Sequence, residues 1–125
     1  MTALPRILVV EDDDMVGEIL KVMLDECYDV ASVAEVRRAL AEIAAQPINV
    51  VLLDYNLPDA CGEDVAECAG RAGVPVVWMT GDLAAADALT AQHHAVLTKP
   101  FHTSQLLEAL AKAVQGAAVP ALRAS

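Results

Sequence analysis

Short apolar runs that alternate with helix-patterned segments constrain this chain more than any other feature. Ile7, Leu8, Val9 and Val10 form the first run, and Val50, Val51, Leu52 and Leu53 form the strongest, preceded by Asn49. Both runs are continuous rather than alternating, the pattern of a strand buried on two faces. Weaker runs lie at residues 29–33, 74–79 and 95–98. A helical segment comes after each. Strands joined in this way predict a parallel sheet covered on both sides, because right-handed crossovers place a helix between parallel strands.

The predicted helices follow apolar spacings of three and four. Val16, Ile19, Leu20, Met23, Leu24 and Cys27 mark one stripe, and Val36, Leu40 and Ile43 mark a second, which ends before Pro47. Val65 and Cys68 suggest a short third helix closed by Gly70 or Gly73, and residues 83–92 a fourth. Leu106, Leu107, Leu110 and Val114 give the last helix its apolar face, with Thr103 or Ser104 as its cap. Residues 57–62 have the Pro and Gly punctuation of a loop. With no repeat, linker or composition break, the expectation is one α/β domain over residues 1–125. Its core spans about residues 6–115, and residues 116–125 form a tail.

Hydrophobic residues make up 56% of the 125, but aromatics only 3%, so the core must be aliphatic. Met15, Met23 and Met79 are expected to fill it. Eight basic against 18 acidic residues give a net charge of −10. Such a surface repels phosphate backbones and anionic lipid heads, so neither nucleic acid nor membrane is an expected partner. Cys27, Cys61 and Cys68 are an odd count without paired short spacing, which fits reduced thiols, and Cys61 and Cys68 are expected as small packing residues. His93 and His94 have no metal-ligand spacing to a cysteine. No apolar run approaches the length of a signal-peptide core or a membrane span, so a cytoplasmic location is expected.

The residues at the strand ends suggest the chemistry. The first run leads to Glu11 and Asp12, the third to Asp54, the fourth to Thr80, and the fifth to Lys99 and Pro100. In open α/β sheets the ligand crevice lies at the carboxyl ends of the strands, so these scattered side chains should converge there. Three close carboxylates need a counter-charge, and a hard dication such as Mg²⁺ answers that need. Asp12 and Asp54 would be direct ligands, a backbone carbonyl near Asn56 a third, and Glu11 would hold a metal-bound water. Such a site suits phosphoryl transfer, with Asp54 as nucleophile and with Thr80 and Lys99 contacting phosphoryl oxygens. Asp13 and Asp14 fit better as acids opening the first helix.

The pieces Ile7-Leu-Val-Val-Glu-Asp-Asp13, Val51-Leu-Leu-Asp-Tyr-Asn-Leu-Pro58, Met79-Thr-Gly81 and Leu97-Thr-Lys-Pro-Phe101 occur in order, each at a strand end. Together they resemble the receiver domains of two-component response regulators, from Arg6 to about Val114. The resemblance implies a flavodoxin-like, doubly wound, five-stranded parallel sheet in the order 2-1-3-4-5 with five helices. It also implies that the phosphoryl group arrives from a sensor histidine kinase or a histidine phosphotransfer protein, and that Asn56 and Asp82 tune self-dephosphorylation.

Two positions depart from that pattern. Val96 stands where receivers commonly carry an aromatic residue three positions before the lysine, and the stretch from Thr80 to Lys99 is short, which predicts that the fourth helix or the loop before it is trimmed. With no ring at position 96, the expected moving parts are Thr80 and residues 81–86.

The expected function is a stand-alone phosphoacceptor switch, not an enzyme, that signals through protein contacts. The alternatives are a phosphate sink or relay, or a scaffold that works without phosphorylation. An aspartyl-phosphate phosphatase would need a second acid two residues after the nucleophile, where this chain has Asn56, whose amide is neither acid nor base. A flavin carrier on the same fold would need a hydroxyl- and glycine-rich loop where this chain has Glu11, Asp12, Asp13 and Asp14.

Overall fold

β1 (Arg6–Val10), β2 (Asp29–Val33), β3 (Val50–Asp54), β4 (Val76–Thr80) and β5 (Ala95–Thr98) form one parallel sheet in the order β2-β1-β3-β4-β5. The computed structural model describes residues 4–57 and 62–118. Five helices, α1 (Asp14–Leu24), α2 (Val36–Ala45), α3 (Gly62–Arg71), α4 (Leu83–Ala91) and α5 (Thr103–Ala118), connect and flank the strands. The architecture is the flavodoxin-like, doubly wound sheet.

The strands alternate their side chains between two cores. Ile7, Val9, Val50, Leu52, Val77, Met79 and Leu97 face α1 and α5, meeting Leu20, Leu24, Leu106 and Leu110. Leu8, Val10, Val51, Leu53 and Trp78 face α2, α3 and α4, meeting Ala39, Ile43, Val65, Ala69 and Leu89. Every residue of β3 is buried, as a strand central to the sheet requires. Burying such side chains, at about 1.5–3 kcal/mol for each large aliphatic one, is what holds the helices to the sheet.

Local chemistry sets the helix ends. Asp13 caps α1, its Oδ1 accepting from the N–H groups of Met15 and Val16. Gly73 closes the chain after α3 at φ +74, a conformation glycine adopts without a Cβ penalty, and the Val74 N–H returns to the Ala69 carbonyl. Of the two glycines suggested by sequence, Gly73 is therefore the stop, and Gly70 lies inside the helix. The fourth helix spans nine residues.

Several expectations need correction. Met15 is 73% exposed rather than core, and Ile19 and Val22 also point outward at 55% and 75%. Only Gly17, Leu20 and Leu24 of α1 are fully in, because a helix lying on one face of a sheet buries a narrower arc than its apolar residues span. Cys27 falls in the exposed turn after α1. Thr103 and Ser104 lie within α5 and do not cap it. There the Gln105 side chain reaches back to accept from the His102 N–H at 2.8 Å.

β4 begins at Val76 and includes Thr80, because the run ahead of it contains Pro75, which has no N–H for a central ladder. α5 continues through Gly116 to Ala118, where a tail was expected from residue 116; residues 119–125 lie outside the described residues. Most of the loop at 57–62, including Cys61, is also outside them. Cys68 is half-buried and packs beside the α2–α3 core, as expected.

Candidate functional site

Glu11, Asp12, Asp54, Thr80 and Lys99 all lie at the carboxyl ends of β1, β3, β4 and β5, or one or two residues beyond them. The sheet's own hydrogen bonding continues past the strands to hold them. The Glu11 N–H donates to the Val33 carbonyl (3.0 Å), Tyr55 N–H to the Met79 carbonyl (2.9 Å), and Lys99 N–H to the Thr80 carbonyl (2.8 Å). The side chains are thus positioned by rigid ladder rather than by free loop.

Each of Glu11, Asp12 and Asp54 offers a carboxylate oxygen, and these atoms lie within 4.8 Å of one another. Glu11 and Asp54 are each only 4% exposed, while Asp12 is exposed at the rim. Lys99 Nζ lies 3.1 Å from Glu11 Oε1 and 3.5 Å from Asp54 Oδ1. One ammonium therefore bridges two of the three carboxylates.

The Glu11 carboxyl is pushed up to about 7. Burial is the main cause, and the adjacent Asp54 adds to it; the hydrogen bonds from Lys99 and from the Asp13 N–H oppose it without cancelling it. For Lys99, burial alone would lower the ammonium. The hydrogen bond to Glu11 and the charges of Asp54 and Glu11 outweigh burial and hold it above its ordinary value.

The donor set fits a hard dication. Three oxygen ligands of like charge are converging, two of them buried, and Lys99 is the one cation paired with them among the described residues. No other group of three His, Cys, Asp or Glu side chains meets such a geometry among the described residues.

Thr80 is fully buried, and its Oγ1 accepts the Asp82 N–H at 3.0 Å, leaving its own hydroxyl proton to donate. Asp54 Oδ1 accepts the Asn56 N–H at 3.2 Å. Asn56 itself is exposed beside the site. Asp82 is the N-cap of α4, its Oδ1 accepting from Ala84 and Ala85 N–H. Asp82→Ala is accordingly expected to cost about 1 kcal/mol in urea unfolding. An unchanged midpoint would show that the α4 terminus does not depend on this cap.

Trp78 carries no motif that marks it in the sequence. It lies two residues before Thr80, and its ring meets Tyr55 at 5.9 Å and His94 at 6.2 Å, both edge to face. The only signal that could have singled it out is that it is the sole tryptophan in an aromatic-poor chain.

Residues 7–111 match the model of the response regulator receiver domain family. Among curated relatives, the transcriptional regulatory protein AruR of Pseudomonas aeruginosa is 39% identical over 88 residues, covering 65% of this chain and 36% of that protein. The DNA-binding response regulator MtrA of Mycolicibacterium paratuberculosis is 32% identical over 107 residues, covering 82% of this chain and 48% of that protein. The chain thus spans less than half the length of either relative.

Among solved structures, the signal receiver domain of a Luxo repressor protein from Vibrio parahaemolyticus superposes with a TM-score of 0.81 at 27% identity, covering 98% of both chains. The receiver domain of the sensor histidine kinase PA1611 from Pseudomonas aeruginosa, crystallised with a magnesium ion coordinated in its active site cleft, gives 0.78 at 26% identity, covering 90% of this chain and 99% of that one.

Proposed function

The chain belongs to the response regulator receiver domain family, and from that premise we propose that it is a switch that accepts a phosphoryl group on Asp54 in a Mg²⁺-dependent reaction. The observation that carries this is the buried Asp54 carboxylate at the end of β3, held between the Lys99 ammonium and the carboxylates of Glu11 and Asp12. The phosphoryl donor is a phosphohistidine on a sensor histidine kinase or a histidine phosphotransfer protein. A cytoplasmic location goes with that donor. It is compatible with the absence, among the described residues, of any helix long and apolar enough to cross a membrane.

Glu11, Asp12 and Asp54, with the backbone carbonyl of Asn56, would hold the Mg²⁺, the metal class named for the related PA1611 receiver. When bound, the ion supplies positive charge against the phosphoryl oxygens. The protein's own groups do the rest. The Asn56 N–H and the Lys99 ammonium both meet Asp54 at Oδ1, and a carboxylate oxygen of Asp54 attacks phosphorus. As the new P–O bond forms, the P–N bond to the donor imidazole breaks and the electron pair stays on that nitrogen. The Lys99 ammonium then turns toward a phosphoryl oxygen, and the Thr80 hydroxyl donates to another.

Asn56 cannot act as a general acid or base, so the acyl phosphate persists and the protein is a switch rather than a turnover enzyme. Asn56 and Asp82, flanking the site, tune how long it lasts. With a net charge of −10, the domain itself has no electrostatic route to nucleic acid, and the signal leaves through protein contacts.

Incubation with acetyl phosphate and Mg²⁺ tests the proposal: a single phosphoryl mass should appear and decay slowly, and a chelator should prevent it. Labelling indifferent to the chelator would reject it. Thr80→Ala is expected to remain phosphorylatable while losing the amide shifts that beryllofluoride, a phosphoryl mimic, induces at residues 80–86. Retention of those shifts would exclude Thr80 as the first moving part.

A further inference from the structure

The ring of Trp78 joins three segments that the backbone keeps apart. It stands in the row Leu53–Trp78–Val96 across β3, β4 and β5, beside the residue that precedes Asp54 and two positions before Thr80. Its faces and edges meet Tyr55, in the segment just after Asp54, and His94, in the turn between α4 and β5. A Cβ placed on Gly62, the first residue of α3, would lie 3.3 Å from Trp78 Cζ3, so the ring also abuts that helix start.

The ring is 3% exposed, whereas Tyr55 is 41% exposed and His94 is exposed. A buried indole is therefore capped at each end by a side chain that reaches the surface. One end is attached to the phosphoacceptor's loop, and the other to the turn leading into β5.

The indole Nε1 is buried and has no hydrogen-bond partner among the described residues. Buried donors are almost always paired, and an unpaired one disfavours the state that contains it. A shift of the ring or its neighbours that brings an acceptor to this N–H would be favoured by the bond it forms. Close packing then requires neighbours on both sides to move with the ring. Val96, beside Trp78 on β5 and half-buried, has no ring of its own to carry such a movement.

We propose that Trp78 is the internal relay between the Asp54 segment and the α4–β5 turn, with Tyr55 as its input and His94 as its output. The relay rests on the phosphoacceptor role of Asp54 and adds the route by which a change there reaches residues 93–98. It is separate from the movement of residues 80–86, which goes through Thr80.

The chain has one tryptophan, so its indole N–H gives one signal in a nitrogen-15 correlation spectrum. Beryllofluoride and Mg²⁺ should be added to the wild-type domain and to Tyr55→Leu and His94→Ala, both at exposed positions. In the wild type, the indole signal and the amides of residues 93–98 are expected to move together with those of Thr80 and Lys99. In Tyr55→Leu the response of the indole and of residues 93–98 should fall by about twofold or more, the effect expected of a residue on a coupling route. His94→Ala should spare the indole response and reduce that of residues 95–98.

If Thr80 and Lys99 respond but the indole does not, or if Tyr55→Leu leaves residues 93–98 responding fully, the relay is wrong. No response at Asp54, Thr80 or Lys99 in the wild type would overturn the phosphoacceptor reading and the relay with it.

Discussion

Replacing Asp54 with asparagine is expected to abolish labelling by acetyl phosphate, from one phosphoryl group per chain to none. An amide is not a nucleophile toward phosphorus, and no other carboxylate in the cluster has the same surroundings. Asp12 is exposed at the rim, and Glu11 is drawn toward its protonated form and bonded to Lys99. Asp54 is buried at the end of β3, with a nearby ammonium and a backbone N–H on one oxygen.

Lys99→Ala should give a different result. The nucleophile remains, but the charge placed to meet the developing phosphoryl oxyanion is gone, and losing one such preorganised donor typically costs about 10²-fold in rate. Mass spectrometry over a time course distinguishes the two variants. A labelled Asp54→Asn protein would place the nucleophile elsewhere, and a Lys99→Ala protein labelled at the wild-type rate would remove the lysine from the chemistry.

The incomplete charge balance of the site also makes stability depend on pH and Mg²⁺ together. Glu11 is an acid whose folded value, about 7, exceeds its ordinary 4.5, so between those values the folded protein binds more protons at this position than the unfolded chain. Its contribution to stability must therefore fall as pH rises through that window in the absence of metal. Lys99, held above its ordinary value, contributes stability that persists through neutral pH and is lost only at high pH, so it does not mask the effect.

Mg²⁺ competes with the proton for the same carboxylates. Its stabilisation should accordingly be larger at pH 8 than at pH 5, reaching about 5 °C in melting temperature at tenfold excess over Kd. Glu11→Gln should flatten the metal-free pH dependence between about pH 5 and 7 relative to wild type, and Asp12→Asn should shrink the Mg²⁺ increment. Equal Mg²⁺ increments at both pH values, or none at either, would contradict the charge balance inferred for the site.

Without the structure, only local pattern was readable. Val50, Val51, Leu52 and Leu53 are apolar without interruption, which only a strand covered on both sides tolerates, and the residue after such a strand in an α/β sheet is carried to its functional edge. The order of Glu11, Asp12, Asp54, Thr80 and Lys99 at successive strand ends was therefore visible as a constellation before any distance was known. Turn chemistry was also local: a residue with φ +74 after α3 favours a glycine, and two were at hand.

The choice between those two glycines, and much else, belonged to the tertiary structure. α1 has the helical period in its sequence, but how far the helix is rolled against the sheet decides that Leu20 and Leu24 are buried while Met15, Ile19 and Val22 face out. The packing of Tyr55, Trp78 and His94 has no local signature, because these residues come together only once β3, β4 and the α4–β5 turn are aligned in register. The raised Glu11 carboxyl is likewise a property of assembly. Its sequence neighbours would leave it an ordinary acid at a helix start, and only burial beside Asp54, with one lysine between them, makes its charge expensive. Periodicity and turn chemistry act over a few residues and survive in the sequence; helix roll, ring contacts and shared charge act across the sheet and exist only when it is closed.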